Sequence, residues 1–299
     1  MTLRDWLGPV IVPLIAGLFV VGLTAWFNNE LNERQQRLED QRAEAEREVA
    51  DQRAQDEALQ AYLDQMNTLL LEKDLSDDKV KTLIHARTVT VLSRLDPGRK
   101  TQVMRFLDEV DLLQRRVDEG GSITREVYGV PISMARVDES SDAISLANAD
   151  LSGADLIDVR LFRADLTNAD LSDAKLHYAS EASLVEANLT NADLTDFHPL
   201  HSHLRGADLT SANLTNANLI GADLSDAKLP GADLSDVDLT NALLTNADLS
   251  GADLTNADLT GSNVTPEQLA KVASLKGATL PNGQKFEDWL EDQENGKNG

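Results

Sequence analysis

Histidine and aspartate are the residues of this chain with chemistry to offer, and both gather in its C-terminal half. His177, His198, His201 and His203 form the one histidine group, with Tyr178, Phe197 and Leu200 among them. Converging imidazoles can hold Zn²⁺ or Ni²⁺. The aspartates include Asp208, Asp233, Asp238, Asp248, Asp253 and Asp258, in near-identical local sequences. Paired carboxylates do acid–base work when a cleft shifts their pKa values apart. Carboxylates repeated evenly on a regular surface have no such cleft. The sequence has no glycine-rich phosphate loop and no His-Glu-x-x-His motif. Cysteine is absent, which removes thiolate chemistry, disulfides and Cys-ligated zinc. The expectation is a protein without catalytic residues, metal or cofactor.

The positions of these residues follow from the spacing around them. GADLSDAKLPGADLSDVDLTNALLTNADLSGADLTNADLTG, residues 221–261, places a leucine at every fifth position. Helices repeat every 3.6 residues and half-buried strands every 2, so neither produces this pattern. A five-residue unit with alanine and leucine both inward requires the chain to turn once per unit. Four turns make a square coil, and twenty residues bring the chain back above itself at a strand spacing of about 4.8 Å. No coil is stable alone, because its backbone groups pair with the coils above and below. Centres run from Leu151 to Leu176 and from Leu184 to Val264. The step from Leu176 to Leu184 is eight residues, read here as three extra residues bulging at a corner. Pro199 stands at a centre, with Phe197 in the alanine position.

The residue before each centre points outward or sideways and is mostly aspartate. Residues 149–264 carry 17 Asp and 2 Glu against Arg160, Arg163, Lys175, Arg205 and Lys228, a net charge of -14. Twenty-residue stacking puts Asp233 beneath Asp253, Asp238 beneath Asp258, and Lys228 between Asp208 and Asp248. His198 and His203 fall on successive sides and diverge around a corner, which weighs against a metal site. The histidine group reads better as an irregular exposed patch. His177, Tyr178, Phe197, His198, Leu200, His201 and His203 are therefore the candidate partner-binding surface. The aspartates above form an acidic face.

Tandem A(D/N)LXX units over about 144–264 resemble the pentapeptide repeat family. The resemblance implies a right-handed quadrilateral β-helix. It also implies an alternative function, since some members mimic duplex DNA and bind type II topoisomerases. The tail VTPEQLAKVASLKGATLPNG is similar to the closing segments of such proteins. Thr265, Pro266 and Gln268 fit a capping box, with the following leucines and Val272 covering the open end of the core. The helical block before the repeats resembles one found in membrane-anchored bacterial members.

The remaining blocks are read by composition. From Leu7 to Phe27 no residue is charged, and Trp6 and Trp26 flank the run. A span of about 20 such residues crosses a bilayer, so residues 1–28 are expected to be an uncleaved transmembrane anchor. Arg34, Arg37, Arg42 and Arg47 follow it, against Arg4 before it, which favours a cytoplasmic C-terminal bulk at a bacterial inner membrane. Residues 29–75 lack Gly and Pro and read as a long charged helix, either a solvated stalk or one that self-associates. Residues 76–117 read as a helical segment, with Ser76 as an N-cap and Asp96-Pro97 opening a second helix. Its basic residues Arg87, Arg94, Arg99, Lys100 and Arg105 would face phospholipid headgroups, a partner or the acidic repeats. Residues 118–143 form a linker, with residues 132–134 as the first strand-like edge of the repeat domain. Residues 265–299 close the chain with a cap helix and a disordered acidic tail.

A net charge of -24 disfavours direct nucleic-acid binding and suits basic partners. The expected function is a membrane-anchored, non-enzymatic scaffold presenting an acidic β-helical rod to another protein.

Overall fold

A computed structural model describes residues 12–72, 77–110, 112, 123–127, 130–134, 145–161, 163–179, 182–199 and 202–296. The chain divides into two units, Met1–Asp56 and Glu57–Gly299.

Helix α1, Val12–Glu72, is continuous, so the apolar start and the charged run are one element. The expected transmembrane anchor, and with it the inner-membrane location, is overturned: among the described residues no helix is long and apolar enough to cross a membrane. Leu7 to Ile11 lie outside the described residues. The apolar part of α1 covers only residues 12–27, roughly 24 Å at 1.5 Å per residue, against a hydrocarbon core of about 30 Å. Beyond it the helix runs into Glu30, Glu33 and Arg34, and Phe19, Leu23, Trp26 and Phe27 are exposed.

In the second unit, the end of α1 buries Leu59, Tyr62, Met66, Leu69 and Leu70. The Tyr62 and Thr88 hydroxyls share a buried hydrogen bond of 2.8 Å, which ties α1 to helix α2, Asp78–Leu92. The N-cap of α2 is Asp77, whose side chain accepts from the Lys79 N–H; Ser76 lies outside the described residues. Helix α3, Pro97–Glu109, opens with Pro97 after the Asp96 cap, the geometry that the Asp-Pro pair favours. Residues 132–134, expected as a strand-like edge, are extended. They belong to strand β2, Val130–Met134, which pairs antiparallel with β1, Ile123–Val127.

From Ser145 onward the chain coils. Single parallel bridges join residues twenty apart, such as Asp208 to Lys228 and Lys228 to Asp248, and the bridges run in four ladders. Pairing is by isolated bridges because each five-residue side spends most of its length turning. Leucine centres and the alanines two residues before them are buried together. The residue two after a centre is usually left-handed, from φ 54° at Asp196 to φ 72° at Gly261, which favours Gly, Asn and Asp there.

One unit shows how the backbone is satisfied. The Asp208 N–H donates to Ala187 O below (2.9 Å), and the N–H groups of Leu209 and Ser211 donate to Lys228 O and Pro230 O above (2.6 and 3.0 Å). The Ala212 N–H closes the turn on Leu209 O at 3.1 Å. The fifth group, the Thr210 N–H, has no backbone acceptor and donates to Asp208 Oδ1 at 3.1 Å.

The two ends of the rod need substitutes for missing coils. At the first coil, the Asp155 N–H has no coil beneath it and donates to Thr101 Oγ1 of α3 at 2.9 Å. Lys100, 3% exposed, bonds Asp150 and Ser152, and Arg160 pairs with Asp108 at 3.1 Å. The basic block thus meets the acidic repeats through Lys100. Gly153, at φ +67°, lets α3 approach: a Cβ there would lie 2.8 Å from Pro97. At the other end, Thr265 and Gln268 form a capping box at helix α4, Pro266–Leu269. Gln268 Nε2 also donates to Leu244 O and Ala247 O at 2.7 and 2.8 Å. Leu269, Val272 and Leu275 pack against the core. The tail, expected to be disordered, forms helix α5, Phe286–Gly296.

Replacing Thr101 by Val should lower stability by about 1–3 kcal/mol in chemical denaturation, because the Asp155 N–H loses its acceptor. Equal stability would remove Thr101 from the capping role. Ser262 occupies an alanine position, and its hydroxyl is buried without a hydrogen-bond partner. Ser262→Ala should therefore raise stability by about 1 kcal/mol in the same assay.

Candidate functional site

The outer surface of the rod is built from the residues that precede the centres. Most of them cap their own side. Asp253 Oδ1 accepts from the Thr255 N–H at 2.9 Å and from its hydroxyl at 2.5 Å. Asp233, Asp238, Asp248 and Asp258 take the N–H two residues on in the same way. Asn188 and Asn213 do this with an amide oxygen, toward Thr190 and Thr215. The fold therefore asks for an oxygen at this position and not for a charge.

The exceptions are informative. Lys228 cannot cap, but the residue two after it is Pro230, which has no N–H to satisfy. Lys228 instead reaches Asp208 Oδ2 at 3.1 Å. Asp233 and Asp253 are bridge partners, as are Asp238 and Asp258. Leu243, between Asp223 below and Asn263 above, is 47% exposed.

Several carboxylates are held below the usual aspartate value of 3.8. At Asp248 the Ser250 hydroxyl and then its N–H lower it. At Asp208 burial opposes ionisation, but the Thr210 hydroxyl and N–H, followed by Lys228, outweigh it. A depressed pKa contributes stability that is complete above the unfolded value and lost as pH falls through the lower folded value.

The histidine region is where the coil changes. The eight-residue step from Leu176 to Leu184 is not three extra residues on one side. It spans two sides and is two residues short of ten, so bridges here join residues eighteen apart, as in Asp170–Asn188 and Lys175–Asp193. Ala179 is the missed centre: it is buried, and its carbonyl accepts the Ala182 N–H at 3.1 Å, as leucine centres do elsewhere. In the next coil Pro199 is likewise a buried centre, and its carbonyl accepts the Ser202 N–H at 2.9 Å.

Phe197, expected on the surface, is fully buried in the alanine position beside Pro199. Two small centres on one side leave volume that a large side chain must occupy, because voids forfeit packing. Outside the core, Tyr178 is 59% exposed. Its ring lies 6.3 Å from both the His177 and His198 rings, measured between centroids. The His198 N–H bonds His177 O at 3.0 Å, which fixes one above the other. His203 is exposed on the next side, bridged to Ser183 and Asp223. Leu200 and His201 lie outside the described residues. Among the described residues no group of three or more His, Asp or Glu is placed to hold a metal ion.

These features define a β-solenoid of five-residue units. The family model described as "Pentapeptide repeats" matches in eight copies over residues 144–177, 201–231 and 232–265, leaving out the short coil and its neighbour. The chain belongs to the pentapeptide repeat family, whose members fold as right-handed β-helices. It is 31% identical to HetL, a pentapeptide repeat protein involved in heterocyst differentiation regulation in the cyanobacterium Nostoc sp. strain PCC 7120. That match covers 48% of this chain and 74% of HetL, with a TM-score of 0.26. A thylakoid-lumen pentapeptide repeat protein of Arabidopsis thaliana is 28% identical over 49% of this chain and 87% of that one, TM-score 0.22. The plasmid-mediated fluoroquinolone resistance protein QnrB1 is 22% identical over 51% and 83%, TM-score 0.28. No curated protein matches the chain.

Asp253→Asn should leave stability within about 0.5 kcal/mol of the parent, whereas Asp253→Ala should cost about 1 kcal/mol, because only the second loses the acceptor for Thr255. Similar losses for both would mean that the fold needs the charge. In an NMR titration Asp248 should ionise below 3.8, and Ser250→Ala should move it upward. An unmoved value would exclude the Ser250 hydroxyl as the cause.

Proposed function

We propose that this chain is a non-enzymatic protein-binding scaffold, with its recognition surface on the short coil: Tyr178 flanked by His177 and His198, and His203 around the corner. The observation that carries this reading is that the rod changes there. Elsewhere the position before the centre is dominated by Asp and Asn, most of them used as turn caps. On the short coil it is occupied by an exposed tyrosine, and one coil above by an exposed histidine. Tyrosine combines a large apolar ring with a polar tip and is enriched at interface hot spots.

The buried Phe197 supports the surface from within and holds the His198 backbone in place. The acidic face widens the footprint and favours a partner with basic residues at its rim. Since Asn would cap as well as Asp, the charge of this face exceeds what folding requires. An excess of one sign steers oppositely charged partners.

The test is affinity capture with the full chain from the source cell extract, comparing the parent, Tyr178→Ala with His198→Ala, and Leu243→Ser as a control two coils above His203. A specific partner should be retained by parent and control, with affinity reduced about tenfold or more in the double variant. Equal retention by all three would sink the short coil as the recognition surface. Inhibition of gyrase supercoiling by the full chain, lost when Asp233 and Asp253 become Asn, would replace this reading with DNA mimicry.

A further inference from the structure

The C-terminal end of the rod carries an apolar groove, one wall of which is formed by residues that close the core. Its volume is about 530 Å³, within the range of sites that accept a ligand or a partner's side chains. Val264, Leu269, Leu275, Leu280, Phe286 and Trp289 line it. Phe286 and Trp289 stack with ring centroids 6.1 Å apart. Trp289 is 38% exposed and Leu290, next along α5, is 41% exposed.

The charges around the groove discriminate among occupants. Helix α5 contributes Glu287, Asp288, Glu291 and Asp292 and no base. Glu287 is engaged by the Gly277 N–H and Asp292 by Gln284, while Asp288 and Glu291 are exposed beside Trp289 and Leu290. On the coil side, Lys285 donates to Gly277 O, and Lys271 and Lys276 are exposed. A second copy of this chain meeting the groove through α5 would set one acidic helix against another, and like charges facing each other suppress association.

We propose that the groove between α4, the last coil and α5 binds an amphipathic helix of another protein, with an apolar stripe in the groove and Lys or Arg along the flank that meets Asp288 and Glu291. Helix-in-groove recognition uses apolar anchors at i, i+3, i+4 and i+7, and an open apolar channel with carboxylates along its α5 edge is the complement of such a helix with its basic flank on that edge. The site is separate from the short coil, so it stands or falls independently of the recognition surface proposed there.

The experiment uses the full chain and a fluorescent Leu/Lys amphipathic peptide as probe, with a Leu/Glu peptide of the same pattern and a scrambled Leu/Lys peptide as controls, read by anisotropy. The Leu/Lys helix should bind, both controls should bind at least about tenfold more weakly, and Trp289→Ala should weaken binding about tenfold. Asp288→Lys with Glu291→Lys should weaken it comparably. Leu290→Asp, on the exposed face of α5, guards against a variant that merely unfolds the end, with far-UV circular dichroism as the check. Equal binding of the scrambled peptide, or no effect of any of these variants in folded protein, overturns the proposal. So does concentration-dependent dimerisation in ultracentrifugation that Trp289→Ala abolishes, which would make a second copy the occupant. Saturable uptake of an apolar dye that the Leu/Lys peptide cannot displace also overturns it.

Discussion

Each five-residue side of the rod has five peptide N–H groups, and the stacked backbone has acceptors for four of them. In most units the fifth is met by a side chain reaching two residues forward, or the donor is removed. Aspartate and asparagine do the first, and Pro230 does the second after Lys228. Buried or crowded polar groups that lack a partner are costly, so this small bond selects most of the surface composition. The leucine and alanine positions are selected by packing, and the left-handed corner by backbone sterics. Four of five positions per unit are thus committed to the fold before any function is considered.

This commitment changes how the acidic surface is weighed. A row of aspartates is what the coil needs in order to close its turns. What it does not need is the negative charge, since Asn188 and Asn213 serve as well. The informative positions are those where the cap is given up, among them Arg160, Lys175, Tyr178, His198, His203, Lys228 and Leu243. Tyr178, His198 and His203 lie on or next to the short coil. The same logic applies at the ends, where Thr101 stands in for an absent coil and Gln268 bonds Ala247 O, a carbonyl of the kind that the next coil's N–H meets elsewhere.

Much of the fold was legible in the sequence because the period of five is incompatible with any other secondary structure. The stacking of Asp233 with Asp253, the Asp96-Pro97 helix start and the capping box at Thr265 followed from spacing and residue type. The short coil is hidden from the spacing because the centre between Leu176 and Leu184 is an alanine. Ala179 is a centre of minimal size, and Phe197, an aromatic in an alanine position, was the signal that the adjacent centres were small. The apolar run before Phe27 was read as a membrane span from its lack of charge, whereas the described helix has too little apolar length. The acidity of the tail hides Phe286 and Trp289, which give it an apolar side toward the end of the rod.

The bridge between Asp233 and Asp253 has a consequence for the solution around the molecule. Residues paired in this way sit about 4.8 Å apart along the rod axis, well inside the Debye length of about 8 Å at physiological ionic strength. Their charges are therefore not independent, and the corner shared with Asp238 and Asp258 behaves as a short polyelectrolyte that gathers cations from the buffer. Any basic surface that docks there displaces those cations, and part of the driving force for association becomes the entropy of the released ions. A stacking pattern set by hydrogen bonds inside the coil thus makes the dissolved salt a participant in recognition outside it.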